Sequence, residues 1–218
     1  MVSFSTGTVL CGGSVVSASV VLTSAHCIFR SFSVQVILGA HQITANEANQ
    51  QRRMVSSTLY RVHNAYSPST FNNDIATLIM SSPVVANQFV RWTNLPALGS
   101  TELFVGELAT VTGWGATSDN ISAGSPLLRS VQNNIITNAV CAATYGNYVI
   151  ASTICMTTVG GRGSCNGDSG GPLTVVRGGN RLQIGVASFG ATNGCERGSP
   201  IGFARLTSFR QWINNNSS

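Results

Sequence analysis

The chain has 218 residues, of which 43% are hydrophobic and only 9% are charged. This composition can fill a substantial core and excludes a disordered chain, so we expect one globular unit or two small, closely joined halves. The net charge of +5 comes from arginines spread along the chain, with only Arg52 and Arg53 adjacent. Dispersed charge argues against a nucleic-acid partner, and no apolar run is long enough to span a membrane.

Lysine is absent, since all 12 basic residues are arginine. Its absence excludes a Ser-Lys dyad, a lysine Schiff base and a Walker A phosphate loop. The polar stretch 42–53 holds one carboxylate, Glu47, which is too few for a calcium loop. We therefore expect neither a metal nor a cofactor.

The six cysteines form no C-x₂-C pair, which favours disulfides over a zinc or redox motif. Disulfides imply an oxidising, secreted setting, although the first residues lack the basic and apolar regions of a signal peptide. In that setting the sequons at Asn120, Asn215 and Asn216 are candidate glycosylation sites.

Short β-branched runs bounded by glycine turns predict an all-β architecture. In chain order the predicted strands lie within 2–10, 15–23, 34–38, 55–62, 75–80, 108–115 and 184–189. Residues 83–100 show no periodicity and are expected to link two similar halves. Only the end looks helical: Leu206, Phe209, Trp212 and Ile213 share one face, with Thr207 or Ser208 as the cap.

One stretch, 165–172, places a single serine among glycines in the order Cys-Asn-Gly-Asp-Ser-Gly-Gly-Pro. Glycine leaves no side chain to block a substrate carbonyl, so the amides of Gly167 and Ser169 could both point at a developing oxyanion. The alternative is a tight turn with no catalytic role, because turns also use Gly, Asp, Ser and Pro. Ser169 is the candidate nucleophile.

A serine nucleophile needs a base, and the base needs an orienting group. Of the three histidines, His26 follows the 15–23 run directly, whereas His41 and His63 lie in regions that we interpret as loops or surface. Asp74 precedes an apolar strand, while Asp119 lies in a polar stretch that looks like an exposed loop. Taken alone, His26 could be a buried core histidine and Asp74 a turn residue.

Together, Leu-Thr-Ser-Ala-His-Cys at 22–27 and Gly-Asp-Ser-Gly-Gly-Pro at 167–172 resemble the chymotrypsin-like (trypsin-fold) serine proteases, in particular their secreted invertebrate chymotrypsin- and collagenase-like members. The order His, Asp, Ser differs from that of subtilisins and α/β-hydrolases. The resemblance implies one peptidase domain of two antiparallel six-stranded β-barrels, at about 1–98 and 99–205, with a C-terminal α-helix at 206–214.

The resemblance also assigns the site. It implies His26, Asp74 and Ser169 as the catalytic triad and the amides of Gly167 and Ser169 as the oxyanion hole. The implied substrate-binding residues are Gly163, Ser164, Asn166, Ser188, Phe189, Gly190 and Ile201. Two of them depart from the family pattern: Phe189 stands where tryptophan is usual, and Ile201 stands where a glycine or a small residue is common.

Gly163 lies where trypsin-like members place a carboxylate, so we expect no pairing with Arg or Lys and a preference for apolar residues such as Leu, Met or Phe. We foresee no arrangement that brings Glu102 or Glu196 into this pocket. Six cysteines allow 15 pairings, and the resemblance implies Cys11 with Cys27, Cys141 with Cys155, and Cys165 with Cys195.

The family's activation pairs a new N-terminal ammonium with the aspartate before the serine, which here is Asp168. The chain starts at Met1, which we expect to lie already inside the first barrel strand. We therefore expect a zymogen-like form in which Asp168 turns outward and dismantles the oxyanion hole, unless Arg162 replaces the ammonium.

The sequence thus predicts a secreted, monomeric serine endopeptidase that acts on protein or peptide substrates and is open to protein inhibitors. A non-catalytic homologue that binds without cutting is the main alternative. A general esterase is weaker, because the Gly-x-Ser-x-Gly elbow is missing.

Overall fold

A computed structural model of the chain describes residues 2–4, 7–121 and 123–217. The described strands are β1 (Val2–Phe4), β2 (Gly7–Val9), β3 (Ser14–Ser17), β4 (Val20–Thr23), β5 (Ser33–Leu38), β6 (Gln51–Ser56), β7 (Tyr60–Val62), β8 (Ala76–Ile79), β9 (Leu108–Gly113), β10 (Arg129–Ile136), β11 (Thr153–Met156), β12 (Pro172–Arg177), β13 (Asn180–Phe189) and β14 (Ile201–Arg205). The helices are α1 (Ala25–Ile28), α2 (Asn138–Tyr145) and α3 (Leu206–Asn215), and short 3₁₀ turns cover Ser57–Leu59 and Gly146–Tyr148. Among the described residues, no helix combines the length and the apolar character needed to cross a membrane.

The second half forms a closed antiparallel barrel in the order β10-β11-β14-β13-β12-β9. Its core consists of buried side chains between Phe104 and Phe203, including Ile154, Leu173 and Ile184 at 0% exposure. Closure pairs every strand edge, which leaves the loops at the barrel ends free to build a site.

The first half is built from three antiparallel sheets that surround a second core. These are the four-stranded sheet β3-β4-β8-β7 and the hairpins β5-β6 and β1-β2. Their core runs from Cys11 to Val90, and all four residues of β4 are buried. The expected all-β fold is thus confirmed, with one closed six-stranded barrel and a second barrel-like set of sheets.

The helices show where local patterns were insufficient. α3 was predicted, but Arg205 occupies its N-cap with no side-chain cap, so Thr207 and Ser208 are not the capping residues. The reason is that β14 runs directly into the helix, which therefore begins earlier than a side-chain cap would place it. α2 was not predicted, although Thr137 caps it by accepting from the Val140 amide at 3.3 Å.

A third core cluster joins the two halves. Leu22 and Ile75 of the first half pack with Val186 and Ala204 of the second and with the apolar face of α3. Three disulfides brace the loops in the pairs that the resemblance implied, Cys11–Cys27, Cys141–Cys155 and Cys165–Cys195.

Candidate active site

His26 and Asp74 meet because of strand register. Thr23 of β4 pairs with Ala76 of β8, so the residues beyond these two strand ends lie side by side. His26 Nδ1 lies 2.7 Å from Asp74 Oδ2, and the His26 backbone amide donates to Asp74 Oδ1 at 2.9 Å. Asp74 is only 1% exposed, so its carboxylate is held by protein donors rather than by water.

Ser188 supplies a further hydrogen bond, which sequence reasoning missed. Its hydroxyl donates to Asp74 Oδ2 at 2.6 Å from the opposite half of the molecule. The resemblance had assigned Ser188 only to the substrate edge. Three donors therefore fix the Asp74 carboxylate, which in turn orients the imidazole of His26.

Ser169 lies in a loop that packs against the segment before α1. The Gly12 amide donates to the Ser169 carbonyl at 2.7 Å, and the Cys27 sulfur lies 3.6 Å from the same oxygen. Next to it, Gly170 has φ +80°, and a Cβ there would approach the Thr23 hydroxyl to 2.3 Å. Glycine is thus required for this close approach of the serine loop to Thr23.

The two proposed oxyanion donors differ from their neighbours in the loop. The Asp168 amide donates to the Cys165 carbonyl at 3.0 Å and the Gly170 amide to the Ala187 carbonyl at 2.8 Å. No hydrogen bond from the amides of Gly167 or Ser169 to another group is found within the described part of the chain. Gly167 has φ +99°, a left-handed conformation that glycine adopts without strain.

Asp168 points inward, which corrects the expected outward rotation. Its carboxylate accepts hydrogen bonds from the amides of Gly115 at 2.8 Å and Cys165 at 2.9 Å, and the residue is 9% exposed. Burial raises the pKa of Asp168, while the hydrogen bonds from Cys165 and Gly115 oppose the rise. The two amides explain why the carboxylate remains inside.

A cavity of about 380 Å³ opens beside the Asp168 carboxylate, and both Arg162 and Glu196 line it. Glu196 thus reaches this region, whereas Glu102 pairs with Arg177 at 2.6 Å. Among the described residues no salt bridge joins Arg162 to Asp168.

A second cavity, of about 560 Å³, leads away from Ser169. Six of the seven expected substrate-binding residues line it: Ser164, Asn166, Ser188, Phe189, Gly190 and Ile201. The seventh, Gly163, lines the cavity at Asp168. A Cβ at Gly163 would lie 2.6 Å from Ile201 Cδ1 and 2.6 Å from Thr158 Cγ2, so Ile201 and Thr158 fill the space that a larger residue 163 would need.

Aromatic side chains contact His26 and the cavity residue Phe189. Phe189 lies over Gly202, where a Cβ would approach its ring to 2.2 Å, and the Tyr145 ring meets Phe189 edge-on with centroids 5.3 Å apart. Phe71 meets the His26 ring edge-on at 5.5 Å and has φ +54°. Sequence reasoning missed Phe71, although its position three residues before Asp74 was a usable signal.

Two histidines were interpreted as surface or loop residues. His41 is exposed, but His63 is half-buried, with its ring 5.2 Å from the rings of both Phe209 and Trp212. Burial lowers the pKa of His63. Asp119 lies in an exposed turn, as expected, and its carboxylate accepts from the Cys195 amide at 2.6 Å.

Two groups of potential metal-ligating side chains are found in the described part of the chain. One group is Cys11, His26 and Cys27, and the other is Asp119, Cys165 and Cys195. All four of these cysteines are in disulfides, so none offers a thiolate ligand.

An all-β fold with a His26–Asp74 pair and a serine in a Gly-Asp-Ser-Gly-Gly loop is the combination that defines a trypsin-fold serine endopeptidase. Comparison with known proteins agrees, because the family model described as Trypsin matches residues 1–213. The chain belongs to the trypsin family, and its relatives support a hydrolase that cleaves peptide bonds.

Among these relatives is brachyurin of Leptuca pugilator, which is 43% identical over 93% of this chain and 85% of that protein. Collagenase of Hypoderma lineatum is 37% identical over 96% of this chain and 76% of that protein. Chymotrypsin of Phaedon cochleariae is 33% identical over 95% of this chain and 72% of that protein. A solved structure of HL collagenase superposes with a TM-score of 0.86 and 35% identity, covering 99% of this chain and 90% of that chain. The expected likeness to invertebrate chymotrypsin- and collagenase-type proteases is confirmed.

Proposed function

We propose that this chain cleaves peptide bonds by acyl transfer, with Ser169 as the nucleophile, His26 as the base and Asp74 as the residue that orients the base. The observation that carries the assignment is the double contact of Asp74 with His26, at 2.7 Å to Nδ1 and 2.9 Å to the amide. With a proton on Nδ1 shared with Asp74, the Nε2 lone pair is the one available to a reacting hydroxyl.

In the proposed reaction Ser169 Oγ attacks the substrate carbonyl carbon while its proton passes to His26 Nε2. The carbonyl oxygen gains negative charge, which the amides of Gly167 and Ser169 stabilise. The imidazolium then returns the proton to the leaving amine, and a water molecule releases the acyl group by the same steps. These two amides have no competing acceptor among the residues that the structure describes, which supports their role.

Substrate preference follows from the cavity of about 560 Å³ that leads from Ser169. The side chain of Ile201 lies against Gly163, and no carboxylate comes from position 163 to pair with a cation. Because burying an unpaired cation is costly, we propose cleavage after apolar residues such as Leu, Met or Phe. One methylene changes such preferences by only about 1–3 kcal/mol, so we propose no order among these residues.

We further propose that Asp168 receives the activating cation of the family in the cavity beside it. Its inward carboxylate and the volume of about 380 Å³ support this role.

The disulfides fit a protein that acts in an oxidising setting, and we propose that the chain is secreted, monomeric and open to protein inhibitors. Neither nucleic acid nor a membrane is part of this proposal.

The test of the triad is Ser169→Ala, with the exposed Ser56→Ala as the matched control. We expect Ser169→Ala to abolish peptide hydrolysis and labelling by an organophosphonate, because both need the hydroxyl. Circular dichroism should show the same fold for both variants. Hydrolysis by Ser169→Ala with an unchanged kcat would remove the assignment, and a folded wild-type chain that takes no label at Ser169 would favour the non-catalytic alternative. Nothing in the comparisons favours that alternative.

A peptide library that varies the residue before the cleaved bond tests the preference. We expect Leu, Met and Phe to be cleaved well above Arg and Lys. A strong preference for Arg or Lys would contradict the assignment of the cavity.

A further inference from the structure

Two segments that line the cavity at Ser169 are joined by reciprocal hydrogen bonds. Asp119 Oδ1 accepts from the Cys195 amide at 2.6 Å, and the Asp119 amide donates to Glu196 Oε2 at 2.7 Å. The first segment, 118–121, lines the cavity, and so do all residues of the second segment, 193–197, except Glu196. These two bonds therefore join two parts of the cavity lining.

The glycine at 194 makes this contact possible. Gly194 has φ +127°, and a Cβ there would lie 2.4 Å from Asp119 Oδ2. Any larger residue at position 194 would have to displace the carboxylate. The Arg197 guanidinium lies 3.8 Å from the same oxygen but is 68% exposed, so this ion pair contributes little.

The segment that carries Asp119 is also tied to the serine loop. The Ala116 amide donates to the Asn166 carbonyl at 2.8 Å, and the Gly115 amide donates to Asp168 at 2.8 Å. On the other side, the Cys165–Cys195 disulfide links residue 195 to the serine loop. The Asp119 contact with Cys195 thus adds a third connection, beside the hydrogen bonds of Gly115 and Ala116 and the disulfide, among the serine loop and the two segments.

We propose that Asp119 is a specificity-determining positioning residue, whose carboxylate holds these two parts of the cavity lining at the separation that fits a large apolar side chain. It acts through the Cys195 amide and does not touch the reacting atoms. This inference rests on the proposed function, because it assumes that the cavity receives the side chain before the cleaved bond.

The width of the cavity should affect binding of large side chains and leave the chemistry of Ser169 unchanged. In Asp119→Ala we expect the KM for a Phe anilide to rise about tenfold, which corresponds to about 1.4 kcal/mol. The KM for the matching Ala anilide should change less than about twofold, because a small side chain makes few contacts with the walls. The kcat values and the rate of inactivation by diisopropyl fluorophosphate should stay within about twofold of wild type.

Asp119→Asn is the conservative variant, because its Oδ1 still accepts from the Cys195 amide. We expect it to restore the low KM for the Phe anilide. Glu102→Ala is the matched control, since it removes a carboxylate that pairs with Arg177 and does not line the cavity. It should behave as wild type.

Binding of indole, measured by calorimetry, gives a reading that does not depend on turnover. We expect the Kd of indole to rise about tenfold in Asp119→Ala and to recover in Asp119→Asn. Melting temperatures of all variants report whether each one is folded.

An unchanged indole Kd and an unchanged Phe KM in Asp119→Ala would overturn the proposal. So would equal losses in Asp119→Asn and Asp119→Ala, or a fall in kcat that is the same for both anilides. A wild-type chain that neither cleaves peptides nor reacts with diisopropyl fluorophosphate would instead refute the proposed function, and the indole measurement would still decide the role of Asp119.

Discussion

At the scale of single residues, the two buried carboxylates in the described part of the chain, Asp74 and Asp168, lie in different environments. Asp74 is buried yet receives three hydrogen bonds from His26 and Ser188. Asp168 is also buried but receives two, both from backbone amides. Burial without a charged partner penalises the ionised form, which is why the pKa of Asp168 is raised.

The raised pKa of Asp168 predicts a pH dependence of stability. A carboxyl group that holds its proton more tightly in the folded state stabilises the fold fully at pH values below its ordinary pKa of 3.8. That contribution is lost as the pH rises through the raised folded pKa. Asp168→Asn cannot ionise. The unfolding free energy of the variant, relative to that of wild type, should therefore increase from pH 3 to pH 7.

Urea unfolding at pH 3, 5 and 7 measures this difference. The asparagine amide cannot accept from both Gly115 and Cys165, so the variant also loses one hydrogen bond at every pH. The slope of the difference with pH is therefore the quantity to compare. A difference that is constant, or that favours wild type more as the pH rises, would contradict the prediction.

At the scale of elements, α3 joins the two halves and packs against a half-buried histidine, His63. His63 follows β7, and its ring lies against Phe209 and Trp212 of α3. A protonated imidazole would place a charge against these apolar rings, so burial lowers the pKa of His63.

The lowered pKa of His63 predicts that acid loosens the packing of α3. A base with a lowered folded pKa contributes stability that is fully present above its ordinary pKa of 6.5 and is lost as the pH falls through the lowered value. His63→Gln removes this dependence. Between pH 8 and pH 5, wild type should therefore lose more unfolding free energy than His63→Gln, as measured by urea denaturation. Equal losses would show that the imidazole stays as well solvated as in the unfolded chain.

Local sequence patterns predicted most of the secondary-structure elements but not all of them. β-branched runs between glycines predicted most of the strands, and the apolar face of residues 206–213 predicted α3. α2 was missed because Asn138–Tyr145 has a weakly amphipathic pattern and buries only Cys141. Its helical form depends on the Thr137 cap and on the disulfide to Cys155 rather than on an apolar face.

At the scale of the whole molecule, the candidate site is divided between the two halves. His26 and Asp74 lie in the first half, while Ser169 and Ser188 lie in the second, so we expect the junction cluster to set their distance. Leu206 lies in this cluster with no exposure, packed with Leu22 and Val186. The division of the chain near residue 98 is still a prediction.

Leu206→Ala should therefore affect both stability and catalysis. Removal of a fully buried leucine costs about 2–5 kcal/mol of unfolding free energy. Leu173→Ala is the matched control, because Leu173 is equally buried but lies inside the second barrel. Both variants should lose similar stability, and well below both melting temperatures only Leu206→Ala should show a reduced kcat on a peptide anilide. Equal kcat values in the two variants would show that the junction does not set the geometry of the site.

The sequence by itself predicted the class of fold, a candidate nucleophile in its glycine loop, the candidate base and acid, and the presence of disulfides. These features depend on residue type and local spacing, which a sequence displays directly. Only the tertiary structure decided that Ser188 donates to Asp74 across 114 positions and that Asp119 accepts from Cys195 across 76. It also decided that Asp168 points inward and that His63 packs under α3. Such contacts are set by strand register and by which loops face each other, and no local pattern encodes the pairing of two residues that far apart.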